Sequence, residues 1–271
     1  MELSAKSVLL CGDTHSDYGW MKHGVLPTAR DLGVDAVIVV GDFGYFNDEW
    51  DFLNTTRTAR EAFGVDVWFL DGNHEDFEIL ERDVRLGRER EAGEYKDRDP
   101  VNLGGSLFYL PRGARVTIGG LKVAILGGAT SIDRYDRVEG YNWFRAEEIT
   151  EEDLKKAKDI GVADVLLSHD APSGWEIPGK FDVSRMRPSW RAQIPACEAH
   201  REVLARGLDL VQAKLVVHGH YHSNYHRFVD RPWGAMEVVG LNCNGRSGWG
   251  VVLEDVDGEP SLRDMQRAWR V

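Results

Sequence analysis

Five apolar runs in this sequence each hand over, at their C-terminal end, to side chains that bind metals through oxygen or imidazole nitrogen. Val8-Leu9-Leu10-Cys11 leads to Gly12-Asp13-Thr14-His15, and Ala36 to Val40 leads to Gly41-Asp42. Val67 to Leu70 leads to Asp71-Gly72-Asn73-His74-Glu75, Val165 to Ser168 leads to His169-Asp170, and Leu215 to Val217 leads to His218-Gly219-His220-Tyr221-His222. A carboxylate and an imidazole two positions apart lie on the same side of an extended chain, so Asp13 and His15 can grip one ion. The donor set is Asp13, His15, Asp42, Asn73, His169, His220 and His222. Oxygen and imidazole without thiolate suit Mn, Fe, Zn, Ni or Co. There are too many donors for one ion and about the right number for two. Asp42, alone at its strand end, is the carboxylate that can bridge them.

Two ions about 3.5–4 Å apart form a clamp for in-line displacement at phosphorus. They acidify a shared water and neutralise the phosphate oxygens, which leaves the departing alkoxide to be protonated. That needs a group beside the metals but not bound to them, and His74, next to Asn73, fits. Glu75 and Asp170 follow donors in sequence and can orient them from behind or serve as caps. His218 reads as structural from its place in a strand, and His23, His200 and His226 as surface or satisfied core groups. Trp175, Lys180, Arg185, Arg187, Trp190 and Arg191 could stack a base and hold a phosphate; an ordinary amphipathic loop explains them equally well.

The apolar runs read as buried strands. Helices are expected over 16–32, ending at Gly33, over 46–59, from Thr150 as N-cap to about Asp159 with Gly161 as the stop, and over 195–213. Strand, helix, strand, helix, strand in the first third implies parallel strands with helices outside. Glu78 to Asp99 reads as a solvated helix and loop. Leu107–Leu110, Arg115–Ile118 and Leu121–Leu126 read as strands of a second, more antiparallel sheet, the last two joined at Gly119-Gly120. Residues 171–195 read as a long loop bordering the site, and Met236–Leu241 with Trp249–Leu253 as a closing hairpin pair. Because the donors span Asp13 to His222, a single domain over 1–271 is expected.

The net charge of −12, from 33 basic and 45 acidic residues, argues against stable nucleic-acid binding. It does not exclude a phosphate substrate, because bound metals reverse the local sign. Cys11, Cys197 and Cys243 are scattered and odd in number, which argues against a disulfide framework and for a reducing compartment. No apolar run is long enough to span a bilayer, and none precedes Asp13 as a leader would. A cytoplasmic protein without membrane partners is expected, in the host cytoplasm if the chain is phage-encoded; the oligomeric state is not legible.

Asp13-x-His15, Gly41-Asp42, Gly72-Asn73-His74-Glu75, Ser168-His169-Asp170 and Gly219-His220-x-His222 together resemble, in order and spacing, the five motifs of the calcineurin-like metallophosphoesterases. The resemblance implies an α/β fold, a four-layer α/β/β/α sandwich of two mixed sheets. It implies two divalent ions, Mn2+ first among them, one on Asp13, His15, Asp42 and His222 and one on Asp42, Asn73, His169 and His220. It makes a metal-bridging hydroxide the nucleophile and His74 the acid.

Departures bear on the substrate. The protein phosphatase branch carries an Asp-Arg-Gly after its second motif and an Arg before its third; here stand Phe43-Gly44-Tyr45-Phe46 and Asp71. A monoester dianion would be poorly held without those arginines, whereas a diester carries one charge. The chain is similar to small bacterial and phage phosphodiesterases, class III cyclic nucleotide enzymes included, which implies small nucleotide-like diesters with 2′,3′-cyclic nucleotides first. A phosphomonoesterase, a nuclease and a non-catalytic scaffold are the alternatives; retention of His74 and every ligand position weighs against the last. Tyr45, a candidate to contact substrate or a ligand from behind, stands where the phosphatases keep an Asp beside the catalytic His, so what orients His74 is not legible.

Overall fold

The computed structural model describes residues 3–91, 94–180, 184 and 186–265. Its strands, in chain order, are β1 (Ser4–Ala5), β2 (Ser7–Cys11), β3 (Ala36–Val40), β4 (Asp66–Leu70), β5 (Val101–Gly104), β6 (Leu107–Tyr109) and β7 (Arg115–Ile118). There follow β8 (Leu121–Leu126), β9 (Val165–Ser168), β10 (Leu215–His218), β11 (Tyr225–Arg231), β12 (Gly234–Gly240), β13 (Gly250–Val256) and β14 (Glu259–Arg263). They form two seven-stranded sheets, ordered β14-β13-β2-β3-β4-β6-β5 and β1-β7-β8-β9-β10-β12-β11. The expected parallel run β2-β3-β4 is present in the first, and β8-β9-β10-β12 are parallel in the second.

Alternation along the strands builds the layers. Leu10, Ile38, Val40 and Leu70 face Ile125, Leu167 and Val217 between the sheets. Their neighbours Leu9, Val37, Val39 and Phe69 face outward onto Met21, Leu26, Phe52 and Leu80. Those residues sit on or beside α1 (Tyr18–Trp20), α2 (Leu26–Leu32), α3 (Trp50–Arg57), α4 (Ala59–Phe63) and α5 (Phe77–Arg90). On the far side, Ala124, Leu126, Leu166 and Val216 pack under α6 (Glu151–Ile160) and α7 (Pro188–Val211). Strands buried on both faces read as continuous apolar runs, and the stack is the expected α/β/β/α sandwich.

Four expectations are corrected. The second sheet is not chiefly antiparallel: only β7·β8 and β11·β12 run antiparallel in it. Leu107–Tyr109 joins the first sheet beside β4. Residues 236–241 and 249–253 do not form a hairpin together; β12 pairs with β11 and β13 with β14, in different sheets. The loop expected over 171–195 ends earlier, because α7 begins at Pro188 and carries Pro195 inside it. Proline suits a first helical turn, so two candidate starts existed and the earlier one won.

The segment between β8 and α6, residues 127–150, is tied down by charge. Arg112, beyond β6, donates to both Asp71 at the end of β4 (2.6 and 2.8 Å) and the carbonyls of Ala146, Glu147 and Glu148. Asp71 is fully buried and also accepts from the Tyr109 hydroxyl at 2.7 Å. Removing one partner of such a pair strands the other charge in the interior. Arg112→Met is expected to lower stability by about 3–5 kcal/mol in urea unfolding; a loss below about 1 kcal/mol would mean the pair is not what holds this segment.

Candidate active site

The strand-end donors converge. Ligand atoms of Asp13, His15 and His222 lie within 4.8 Å of one another, as do those of Asp42, His169 and His220, and those of His15, Asp42 and His74. Asp42 therefore adjoins both halves. The sheets are pinned together at this point by two bonds: His169 Nδ1 donates to the Val40 carbonyl (2.9 Å), and the His220 backbone N–H donates to Asp13 Oδ1 (3.0 Å).

Close approach demands glycine in the motifs. A Cβ on Gly41, whose φ is +90°, would stand 2.1 Å from the His169 ring, and one on Gly72 would stand 2.2 Å from Asp42 Oδ1. His15, Asp42, His220 and His222 hold φ of 47°, 46°, 68° and 48° without being glycine. Left-handed backbone at non-glycine positions costs of order 1–2 kcal/mol each and clusters at functional sites.

The side chains present bare lone pairs inward. Asp13 Oδ2, Asn73 Oδ1 and His169 Nε2 are buried without a hydrogen-bond partner among the described residues. His169 Nε2 lies 3.1 Å from Asp42 Oδ1 and His222 Nε2 lies 3.0 Å from Asp13 Oδ2. His169 donates through Nδ1 to Val40, so Nε2 is the nitrogen that faces the carboxylates of the centre. The same arrangement recurs at His15, whose Nδ1 faces Asn244 Oδ1 at 3.4 Å while Nε2 faces Asp42. Asn244 is itself fixed by donating to Asp17 (2.8 Å). Such outer bonds aim the other ring nitrogen at a metal. The donor set and its orphaned atoms fit divalent ions.

Charge gives the same answer. Burial pushes the His169 pKa down, but the Asp42 and Asp13 carboxylates outweigh it and lift it to about 10; the same balance lifts His15 to about 9. Asp42, despite burial, is held well below the usual carboxylate range by His169, His74 and His15. His220 is driven the other way, to about 4, by burial first, and so stands neutral as a ligand must. The acids demand positive charge, and protonated imidazoles supply it until an ion displaces the protons.

Behind the donors run two buried relays. Asn73 Nδ2 donates to Ser131 Oγ (3.1 Å), whose hydroxyl donates to Glu147 Oε2 (2.8 Å), so the Asn73 carbonyl oxygen is the atom left facing the centre. Glu147 is fully buried and also accepts from the Ser131 N–H and the Trp143 indole. Asp170 accepts from the Tyr221 hydroxyl (2.7 Å) and from His200 Nδ1 (2.7 Å), whose Nε2 accepts from the Ile149 N–H. That relay couples the neighbours of His169 and His220. Glu75 accepts from the backbone N–H groups of Phe43, Gly44 and Tyr45, holding the turn that follows Asp42.

His74 stands beside Asp42, with its backbone N–H on Asp42 Oδ1 (2.8 Å). The residue facing its ring is not Tyr45. The Tyr45 ring stacks on Phe69 in the core and its hydroxyl donates to Asp83 (2.8 Å). Phe43 and Phe69 fill that layer with aromatic surface, so the tyrosine turns inward. His74 Nε2 instead accepts from Arg137 Nη2 at 2.9 Å. Arg137, Ser131 and Glu147 were not singled out in the sequence, while Asn244 lies in an Asn-Cys-Asn-Gly run at 242–245 of the kind that marks a turn.

His218 is structural, bonded to the Gly219 carbonyl and the Tyr225 hydroxyl. His200 is a satisfied core group, while His226 pairs with Glu237 at the surface. The proposed base-stacking set is engaged elsewhere: Trp175 on Tyr225, Lys180 on Glu198, Arg187 and Trp190 on Asp136, Arg191 on Met186. Arg185 lies outside the described residues. A cavity of about 580 Å3, lined by Trp20, His226 and Trp249 among others, contains none of the donors.

A model of the calcineurin-like phosphoesterase family matches residues 6–224. The chain belongs to that family. It is 25% identical over 220 residues to the lariat debranching enzyme of Schizosaccharomyces pombe, a match covering 75% of this chain and 47% of that one, so this phosphoesterase spans about half its relative's length. The protein TT1561 of Thermus thermophilus shares the fold, with a TM-score of 0.53 at 14% identity over 97% of this chain and 100% of that one. A hypothetical protein from the same organism aligns with a TM-score of 0.45 at 17% identity, over 94% and 96% of the two chains. No helix among the described residues of the phosphoesterase is long and apolar enough to cross a membrane.

Two outcomes test the site. Ser131→Ala removes the acceptor of the Asn73 amide and Glu147→Gln loosens the hydroxyl that holds it, and calorimetric Mn2+ affinity at the weaker-bound position is expected to fall about 10- to 100-fold; unchanged affinity would place Asn73 outside the ligand set. In metal-free protein, His15 and His169 have pKa values raised above the ordinary 6.5, so their pairing with the acids stabilises below that pH and is lost as pH rises through about 9 and 10. The metal-free melting temperature is expected to drop between pH 6.5 and 10, and saturating Mn2+ to remove most of that dependence. A flat metal-free profile would contradict the charge balance.

Proposed function

We propose that this phosphoesterase is a two-metal phosphodiesterase for small nucleotide-like diesters, with 2′,3′-cyclic nucleotides as first substrate. The observation that carries it is that Asp13, His15 and His222 gather beside Asp42, His169 and His220, joined by the approach of His15 to Asp42, around orphaned polar atoms. Asp13, His15, Asp42 and His222 would hold one ion, and Asp42, Asn73, His169 and His220 the other. Divalent ions there would acidify a water and withdraw charge from the phosphate oxygens.

The chain's own groups do the rest. His74 lies beside Asp42 and His15, with ligand atoms of the three within 4.8 Å of one another, and serves this reaction as the proton donor. Its Nε2 accepts from Arg137, so the neutral ring carries its proton on Nδ1. Burial first, then Arg137, hold its pKa below the ordinary value. Arriving phosphate charge would draw Arg137 off Nε2 and raise the ring's pKa, so that Nε2 could take up the proton that the leaving group needs. The buried carboxylates of Asp13 and Asp42 would offset part of the ions' positive charge, which favours a singly charged diester over a dianionic monoester. The relative's name supports the same class, since debranching a lariat breaks a phosphodiester.

With Mn2+ loaded, kcat/KM for a bis-aryl phosphate is expected to exceed that for the aryl monophosphate at least about tenfold, a preference of roughly 1.4 kcal/mol, and 2′,3′-cyclic nucleotides to be turned over while single-stranded DNA and RNA are left intact. Preference for the monoester would establish a phosphatase instead. His74→Ala is expected to keep both ions and lose roughly 10²- to 10⁴-fold in kcat, most for alkyl leaving groups. Equal turnover of an alkyl diester by that variant would remove His74 from the chemistry.

A further inference from the structure

The segment between β8 and α6 brings one guanidinium to the centre. Arg137 Nη2 lies 2.9 Å from His74 Nε2, and His74 is grouped with His15 and Asp42 within 4.8 Å. Asp133 holds Arg137 Nε at 2.7 Å and the Asn142 carbonyl accepts from Nη1 at 3.1 Å. Those three bonds leave one N–H on each terminal nitrogen of the fork.

The position is rigid from both sides. Asp136, the preceding residue, accepts from Arg187, Ser189 and Trp190 at the start of α7. Further along, buried Glu147 holds Ser131 and Trp143. The Arg137 side chain is only 11% exposed. A long cation braced in place, with donors to spare and a catalytic imidazole at its tip, has the form of an anion clamp.

We propose that Arg137 is a catalytic residue that grips a non-bridging oxygen of the substrate phosphoryl group beside His74. This rests on the two-metal phosphodiesterase reading and deepens it. The clamp comes from a segment outside all five motifs, in place of arginines that the motifs here lack. It also bears on substrate class: Asp133 neutralises part of the one cation, which suits a phosphoryl group of single charge.

The rival role is that Arg137 only positions His74. Calorimetric titration of inorganic phosphate into the Mn2+-loaded protein separates the two. Arg137→Met is expected to weaken phosphate binding roughly 10- to 100-fold and raise KM for the bis-aryl phosphate similarly, with Arg137→Lys restoring part of both. The same loss of phosphate affinity is expected when Arg137→Met is made in His74→Ala protein. If the loss vanishes in that background, or if phosphate binds Arg137→Met as it binds wild type, the proposal is overturned. Should Arg137→Met fail to fold, Arg137→Lys decides: weaker phosphate binding than wild type supports the clamp, and equal binding overturns it. An inactive wild type that still binds phosphate through Arg137 would count against the phosphodiesterase reading alone.

Discussion

A buried carboxylate keeps its charge only where positive charge meets it, and Asp42 is that constraint here. It sits at the end of β3, nearly inaccessible to solvent, with one oxygen on two backbone N–H groups and both oxygens facing imidazoles. Asp13 is buried close by. Desolvation alone would drive protons onto such acids. The protein instead spends four imidazoles and a strained turn on keeping them ionised, which makes sense as a site built for cations. Everything around the centre serves to hold those groups at the meeting point of two sheets.

The sandwich achieves this by simple means. Parallel strands from each sheet end at the same level, and residues just past the last apolar side chain are free of the ladder. Two cross-sheet bonds, from His169 to Val40 and from His220 to Asp13, then fix the sheets relative to one another at the site itself. Stability and ligand geometry are joined in those contacts.

Much of this was legible in the chain. Apolar runs ending in Asp, Asn or His announced both the strands and the donors, and Asp42's isolation announced its shared position. What was hidden has physical reasons. Strand pairing is nonlocal, so β12 and β13 looked like partners though they belong to different sheets. Glu147 looks like a solvated acid by type, yet it is buried by a Ser, an indole and backbone donors that only the fold assembles. Arg137 lies 63 residues from His74 in a segment without periodicity, so no pattern could pair them. Tyr45 shows the converse: a residue at a motif position whose aromatic ring packs in the core.

The most direct measurement is the number and coupling of bound ions. Mn2+ titrated into the metal-free protein and followed by electron paramagnetic resonance should reach two ions per chain with the spectrum of an exchange-coupled pair, and Asp42→Ala should abolish the coupling. One ion per chain, or two magnetically independent ions, would contradict a centre bridged by a single buried carboxylate.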